Sequence, residues 1–281
     1  MKKLNEQQIR KFQKDGFVYP IDVMTTKEAA ACCAGFEESE RRQGFQFGKG
    51  RNFKPHLLYK WADDLVYNTQ LLDAVEDLIG PDFLLLSTAC FPKNPGEGAF
   101  VAWHQDGTYF GLEPPVQVTV WAALADAPIE AGCMEVKAGS HKLGQLPHVE
   151  AQAQANMLSL GQTIDARHYR NCDGRSEFMP LKAGQISIHD TYAIHRSAPN
   201  RTAHRRIGIS MNFIPTHVKP VMQTRPTASL VRGVDRYKHF VEERRPVVDG
   251  GAAEREMHQL ADKLFRQGHI EQRTKHAEGK V

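Results

Sequence analysis

Apolar positions recur at helical spacing three times in the first third of the chain. Residues 5–15 suit a short amphipathic helix, Thr25 can cap a second running to about Arg42, and 69–79 places Leu71, Leu72, Val75, Leu78 and Ile79 on one face before Gly80-Pro81 stops it. From Asp82 the texture changes to short β-type runs broken by Gly and Pro, at 83–91, 100–104, 116–124, 133–136, 185–189 and 207–214. Strands this short at such spacing predict a sandwich or jelly roll. Residues 145–175 form a polar interval longer than most connections, which predicts a functional lid. Residues 252–267 read as a charged helix.

Composition narrows the class. The chain has 281 residues, 41% hydrophobic and 25% charged, without internal repeats, so one large domain is expected. A chain of roughly 300 residues buries about 75% of its unfolded surface and needs no disulfide or structural metal to hold together. No run of about 18 apolar residues occurs and the mean hydropathy is −0.48, which argues against a membrane span. A net charge of +3, spread evenly, is not the footprint of a nucleic-acid binder. The first residues lack the apolar segment of a secretory signal and the last ones match no peroxisomal or prenylation signal, giving the expectation of a cytoplasmic protein. Five cysteines, two adjacent and none in a CxxC pair, predict reduced thiols. The expected partner is a small molecule, with oligomeric state unspecified.

The chemistry starts at His104-Gln105-Asp106. On a strand, residues i and i+2 share a face, so imidazole and carboxylate converge while Gln105 points away. That is the near half of the two-histidine, one-carboxylate triad of non-haem Fe(II) oxygenases. Chance supplies roughly 0.7 such triplets in a chain with 13 histidines, so context has to decide. The context is a segment running from Gly184 through His189 and His195-Arg196-Ser197-Ala198-Pro199-Asn200, then His204-Arg205-Arg206-Ile207-Gly208-Ile209-Ser210. With Gly132-Cys133-Met134-Glu135-Val136 and Gly139-Ser140-His141 between them, these segments resemble the phytanoyl-CoA dioxygenase family of Fe(II)/2-oxoglutarate oxygenases over roughly residues 5–220.

The resemblance implies a mainly β fold with flanking helices. Its core would be a double-stranded β-helix, a cupin-like jelly roll over about 82–220, buttressed by helices over about 1–80 and followed by a helical tail over about 221–281. It assigns the metal to His104, Asp106 and His195 and the distal carboxylate of 2-oxoglutarate to Arg206, with Ser197, Trp121 and Lys54 as further co-substrate contacts. Fe(II), 2-oxoglutarate and O2 are the implied cofactors. An aspartate at 106, where the halogenating branch carries a small residue, favours hydroxylation. Ala138 and Arg196 depart from the family pattern, the first altering a turn and the second alternating away from His195.

Plainer readings stand beside these. His189 competes with His195, but six residues span about 20 Å on a strand, so only one can bind the metal; the family pattern selects His195 and leaves His189 as a core or lid residue. Arg206 lies among Arg201, His204 and Arg205 and reads alternatively as a surface residue, although strand parity gives 206, 208 and 210 one face, with small Gly208 and Ser210 leaving room for a ligand. Trp121 reads equally as plain core. The cationic set Lys49, Arg51, Lys54 and His56 suits an anion near the mouth. The expected function is hydroxylation of a small organic substrate, for instance 2-aminoethylphosphonate. The alternatives are an acyl-CoA 2-hydroxylase and a metal-binding cupin-like protein without oxygenase activity.

Overall fold

The computed structural model describes residues 1–48, 53–150, 155–158, 162–169 and 175–277, and the side chains of these up to residue 271. Helix α1 (Glu6–Asp15) begins at Asn5, whose side chain accepts from the Gln8 amide while Gln8 returns a bond to the Asn5 amide. Strand β1 (Phe17–Asp22) follows, then α2 (Thr26–Gln43), capped reciprocally by Thr25 and Glu28, then α3 (Lys60–Val66) and α4 (Thr69–Ile79). After these come β2 (Phe83–Cys90), β3 (Val101–His104), β4 (Leu112–Glu113), β5 (Val118–Ala123) and β6 (Met134–Lys137). A hairpin of β7 (His148–Glu150) and β8 (Gln162–Ile164) leads to β9 (Ser176–Met179), β10 (Gln185–Asp190), β11 (His195–Ser197) and β12 (Gly208–Pro215). The chain ends with β13 (Lys219–Pro220), β14 (Thr227–Arg232), β15 (Val241–Glu242) and α5 (Ala252–Ala277).

Two facing sheets make the jelly roll. The major sheet runs β1-β10-β5-β12-β2-β14-β15 and the minor one β3-β11-β6-β9, with β14 and β15 the parallel pair in an otherwise antiparallel pattern. Alternation along the major strands divides their side chains between two environments. Val118, Val120 and Ala122 of β5, Ile186 and Ile188 of β10, and Ile209, Met211 and Phe213 of β12 pack with Phe36, Leu65, Leu71 and Val75 of the helices. The intervening Thr119, Trp121, His189, Ser210 and Asn212 face inward and line a cavity of about 1060 Å³.

The strand runs and terminal helices are where the sequence predicts them, but the divisions at 80 and 220 are not structural ones. Strand β1 lies inside the expected helical buttress and forms an edge of the major sheet, pairing with β10. Strands β14 and β15 lie inside the expected helical tail, β14 pairing with β2. The expected lid is in its described part a hairpin against β3, and residues 155–158 line the cavity.

Candidate active site

Strands β3 and β11 pair antiparallel with His104 directly opposite His195. Asp106 is not on the strand: it opens a 3-10 turn that runs to Tyr109. Gln105 remains extended, so the alternation carries past the strand end. The Gln105 side chain points away and is buried, donating to the Gly144 and Tyr192 carbonyls and accepting from the Leu146 amide. That anchorage fixes where Asp106 emerges.

Ligand atoms of His104, Asp106 and His195 all lie within 4.8 Å of one another. His104 Nδ1 donates to the carbonyls of Ala102 and His195, at 2.9 and 3.1 Å, and His195 Nδ1 to that of Ala193 at 2.9 Å. With both Nδ1 protonated, both Nε2 lone pairs face Asp106 Oδ1, at 3.4 and 3.8 Å. The other carboxylate oxygen is occupied: Oδ2 accepts from Thr119 Oγ1 at 2.5 Å and from His189 Nε2 at 3.2 Å, and Asn212 Nδ2 donates to Thr119 Oγ1 at 2.9 Å. Burial alone would push the Asp106 carboxyl up, but the His104, His189 and His195 rings around it outweigh that and hold the group well below the usual carboxylate range. Burial, then His104 and His189, push the His195 imidazolium well down, so the ring is neutral. Two imidazoles with Nδ1 turned to carbonyls, together with one carboxylate, form a donor set suited to a divalent metal.

His189 lies nearer than sequence spacing allows on one strand. The chain turns at 191–194, so His189 on β10 and His195 on β11 have ring centroids 4.3 Å apart. The separation of about 20 Å expected from six extended residues does not hold. His189 is hydrogen-bonded and buried as expected, yet it also faces the cavity beside the triad.

A second polar cluster adjoins the cavity, with Arg206 and Ser197 in its wall. Arg206 is 3% exposed, its guanidinium donating to the carbonyls of Gly132 and Phe91 at 2.7 Å each, with Nε buried and unpartnered. Its guanidinium carbon lies 5.1 Å from the centre of the Trp121 ring. Trp121 therefore both packs in the wall and lines the cavity. Gly208 leaves no open room: a Cβ there would meet Trp121 Cζ2 at 2.0 Å, so the indole fills the space beside the strand. Lys93, which sequence reasoning missed, is fully buried and donates to Ser197 Oγ at 2.6 Å, to the Ser197 carbonyl at 3.1 Å and to the Ala198 carbonyl at 2.5 Å. Burial and then the Arg206 charge push its ammonium down to about 6. Neither Lys93 nor Arg206 makes an ion pair with an acid among the described residues.

Lys54 is not at this site. Its ammonium is buried against Glu243 and the hydroxyl and carbonyl of Thr227, and His56 bonds the same carboxylate, so neither cation faces the cavity. Lys49 and Arg51, the rest of the cationic set, lie outside the described residues. Arg205, read from sequence as a surface neighbour of Arg206, clamps Glu40 of α2 at 2.6 and 2.8 Å over the Phe36 ring. Arg196 does alternate away from His195, pairing with Glu135 at 2.7 Å over the Trp103 ring.

Known proteins bear on this arrangement. The family model for phytanoyl-CoA dioxygenase matches residues 12–208. The rice protein phytanoyl-CoA dioxygenase 1 is 31% identical over 44% of this chain and 42% of its own length. A probable alpha-ketoglutarate-dependent hypophosphite dioxygenase of Stutzerimonas stutzeri is 24% identical over 60% of this chain and 58% of its own. The match thus spans about half the length of these two curated relatives. The solved apo structure of the non-heme monooxygenase ThoJ is 31% identical, with a TM-score of 0.81 over 95% of this chain and 99% of that one.

Proposed function

The chain belongs to the phytanoyl-CoA dioxygenase family, and from that membership we propose that it is an Fe(II)- and 2-oxoglutarate-dependent dioxygenase that hydroxylates an unactivated C–H bond of a small organic molecule. The observation that carries the reading is a buried cation, Arg206, lining the same cavity as the His104, Asp106 and His195 triad. A buried guanidinium with only carbonyls as partners is costly unless an anion joins it. A dicarboxylate whose other end chelates the metal answers that need. A metal-binding cupin without oxygenase activity does not.

The residues fit the implied cofactors. Two imidazoles and one carboxylate suit Fe(II) and leave positions open for other ligands. Bound there, the iron would supply oxidative decarboxylation of the 2-oxo acid and the oxidising power for C–H cleavage. The chain supplies the rest. Carbonyl acceptors on both Nδ1–H groups hold the rings, and Thr119 with His189 holds Asp106 so that one oxygen only faces them. Arg206 offers a planar fork to a carboxylate, and Ser197 a hydroxyl held in place by Lys93. The apolar wall excludes water from the reacting carbon.

The aminoethylphosphonate version of this function keeps the support of the hypophosphite-related sequence. It loses Lys54 and His56, which are turned into a buried network. Anaerobic titration of 2-oxoglutarate into Fe(II)-loaded protein, followed by its visible charge-transfer band, tests the function. Arg206→Lys should weaken binding roughly tenfold to a hundredfold, because a charged bidentate contact contributes about 1.5–3 kcal/mol. Arg206→Ala should be worse, with iron binding nearly unchanged in both. An affinity in Arg206→Ala equal to that of the parent removes the main support.

A further inference from the structure

The triad and Arg206 account for one end of the cavity; the rest of the wall has a different character. It is built largely by α5, which lies C-terminal to the segment matched by the family model. Phe265 of α5 packs on Phe53 with ring centroids 4.8 Å apart and faces Phe110 at 6.3 Å. One turn on, His269 stacks parallel to Tyr109 at 6.2 Å, and Tyr109 in turn meets the His104 ring edge-on at 6.4 Å. A continuous set of ring faces therefore leads from α5 to the metal-site histidines.

This wall is fixed. At the start of α5, Glu254 accepts from the amides of Val247 and Val248. Met257 and Ala261 pack on Leu57, and His258 bonds the Phe53 carbonyl at 2.8 Å. Farther along, Glu271 accepts from the Gln223 and Thr224 amides and the Thr224 hydroxyl. The two arginines lining the cavity besides Arg206 are already paired with acids, Arg196 with Glu135 and Arg266 with Asp262 at 2.7 and 2.8 Å. Cavities of about 300–1,000 Å³ hold drug-sized ligands, and this one, at about 1060 Å³, exceeds what 2-oxoglutarate and a phosphonate of a few atoms would fill.

Resting on the dioxygenase reading above, we infer that the substrate is a bulky, predominantly apolar, ring-bearing molecule, and that Phe265, with Phe53 and Phe110, is the specificity wall against which its ring face stacks. Offset or edge contacts between rings at about 4.5–7 Å select such a face. A small oxyanion finds no unpaired arginine there among the described residues.

The neutral dye N-phenyl-1-naphthylamine, titrated into protein loaded anaerobically with Fe(II) and 2-oxoglutarate, reports on this wall. One saturable site is expected, weakened about five- to tenfold by Phe265→Ala and less by Phe265→Leu, which keeps α5 packed but removes the ring. The charge-transfer titration of 2-oxoglutarate should be the same in all three proteins, and 2-aminoethylphosphonate and hypophosphite should not displace the dye. Dye affinity unchanged in both Phe265 variants, or displacement by either phosphorus anion, overturns the inference while leaving the dioxygenase reading intact. Loss of the 2-oxoglutarate band in the parent protein would instead overturn the dioxygenase reading.

Discussion

His189 and Lys93 show what a residue's number hides. The His104 and Asp106 half of the triad was legible because their i, i+2 relation is local geometry, and it survives even though the strand ends at His104, whereas His195 came from the family resemblance. His189 became a neighbour of His195 only through the turn at 191–194, which no spacing along a strand expresses. Its place predicts a graded effect: His104→Ala, Asp106→Ala and His195→Ala should each lose iron while remaining folded. His189→Ala should retain iron with affinity lowered about 10- to 100-fold, since it only orients Asp106. Iron content after gel filtration and a competitive chelator titration separate the cases, and full iron affinity in His189→Ala would exclude the orienting role. Lys93 was illegible because it is a lone cation in the loop after β2, whereas Lys54 sat in a conspicuous basic run. Its ammonium titrates near 6 when folded and near 10.4 in an unfolded chain, so below about 6 both states are protonated and the full cost of burial is present. As the pH rises from about 6 to about 10 the folded chain sheds the proton first, and stability rises relative to Lys93→Met, with Arg206 and Cys133 the charged and titratable groups facing it. Thermal unfolding of the two proteins across that range reads the difference, and a gap that does not change with pH would show that the folded chain keeps the proton.

At the scale of elements, long periodic segments were readable and short ones were not. Strands β2, β5, β10 and β12 carry enough alternating or continuous apolar residues to declare themselves, because one face meets the helices. Strands β7, β8 and β11 have three residues each, too few for a period, and β1 contains Pro20 within six residues. The pairing of β1 and β11 comes from partners far away in sequence. Strand β12 was found, but the purpose of its glycine was misread: parity correctly put Gly208 on the cavity side, yet the space belongs to Trp121. Gly208→Ala should push the indole off its place over Arg206 or displace the strand. Such overpacking costs about 1–3 kcal/mol. Thermal unfolding should fall accordingly, and 2-oxoglutarate affinity with it; Gly208→Ala unchanged in both would show that Trp121 has room to yield. Trp121→Phe/Gly208→Ala, which removes the colliding ring atoms, should recover stability.

Across the whole molecule, the segment after residue 220 is tied into the core by charge as well as by sheet pairing. Glu243, buried next to β15, accepts from Thr227 Oγ1 and Ser229 Oγ of β14 at 2.6 Å each, from His56 Nε2 at 3.1 Å and from the Lys54 ammonium. His56 continues the chain of bonds to Thr88 of β2 at 2.8 Å. The network thus joins residues separated by nearly 190 positions, which is why Lys54 read from sequence as a binding residue: its partner is legible only once β14 and β15 are in the sheet. Burial alone would push the Glu243 carboxyl up, but Lys54 and His56 outweigh it and hold the group far below the usual range. A depressed folded pKa places this contribution above about pH 4.3, where the unfolded carboxyl has also ionised, and it is lost as the pH falls toward the folded value. Glu243→Gln should therefore leave Lys54 with an uncompensated buried charge and cost about 3–5 kcal/mol at neutral pH. Replacing both partners, as Lys54→Met/Glu243→Leu, should recover much of that loss, because the remaining groups no longer surround a lone charge. Thermal unfolding of the three proteins gives the comparison, and a neutral Glu243→Gln would deny the network its structural role. The 2-oxoglutarate affinity of Lys54→Met/Glu243→Leu, measured by the same anaerobic titration, should match the parent, since Lys54 lies outside the cavity that holds Arg206 and the triad.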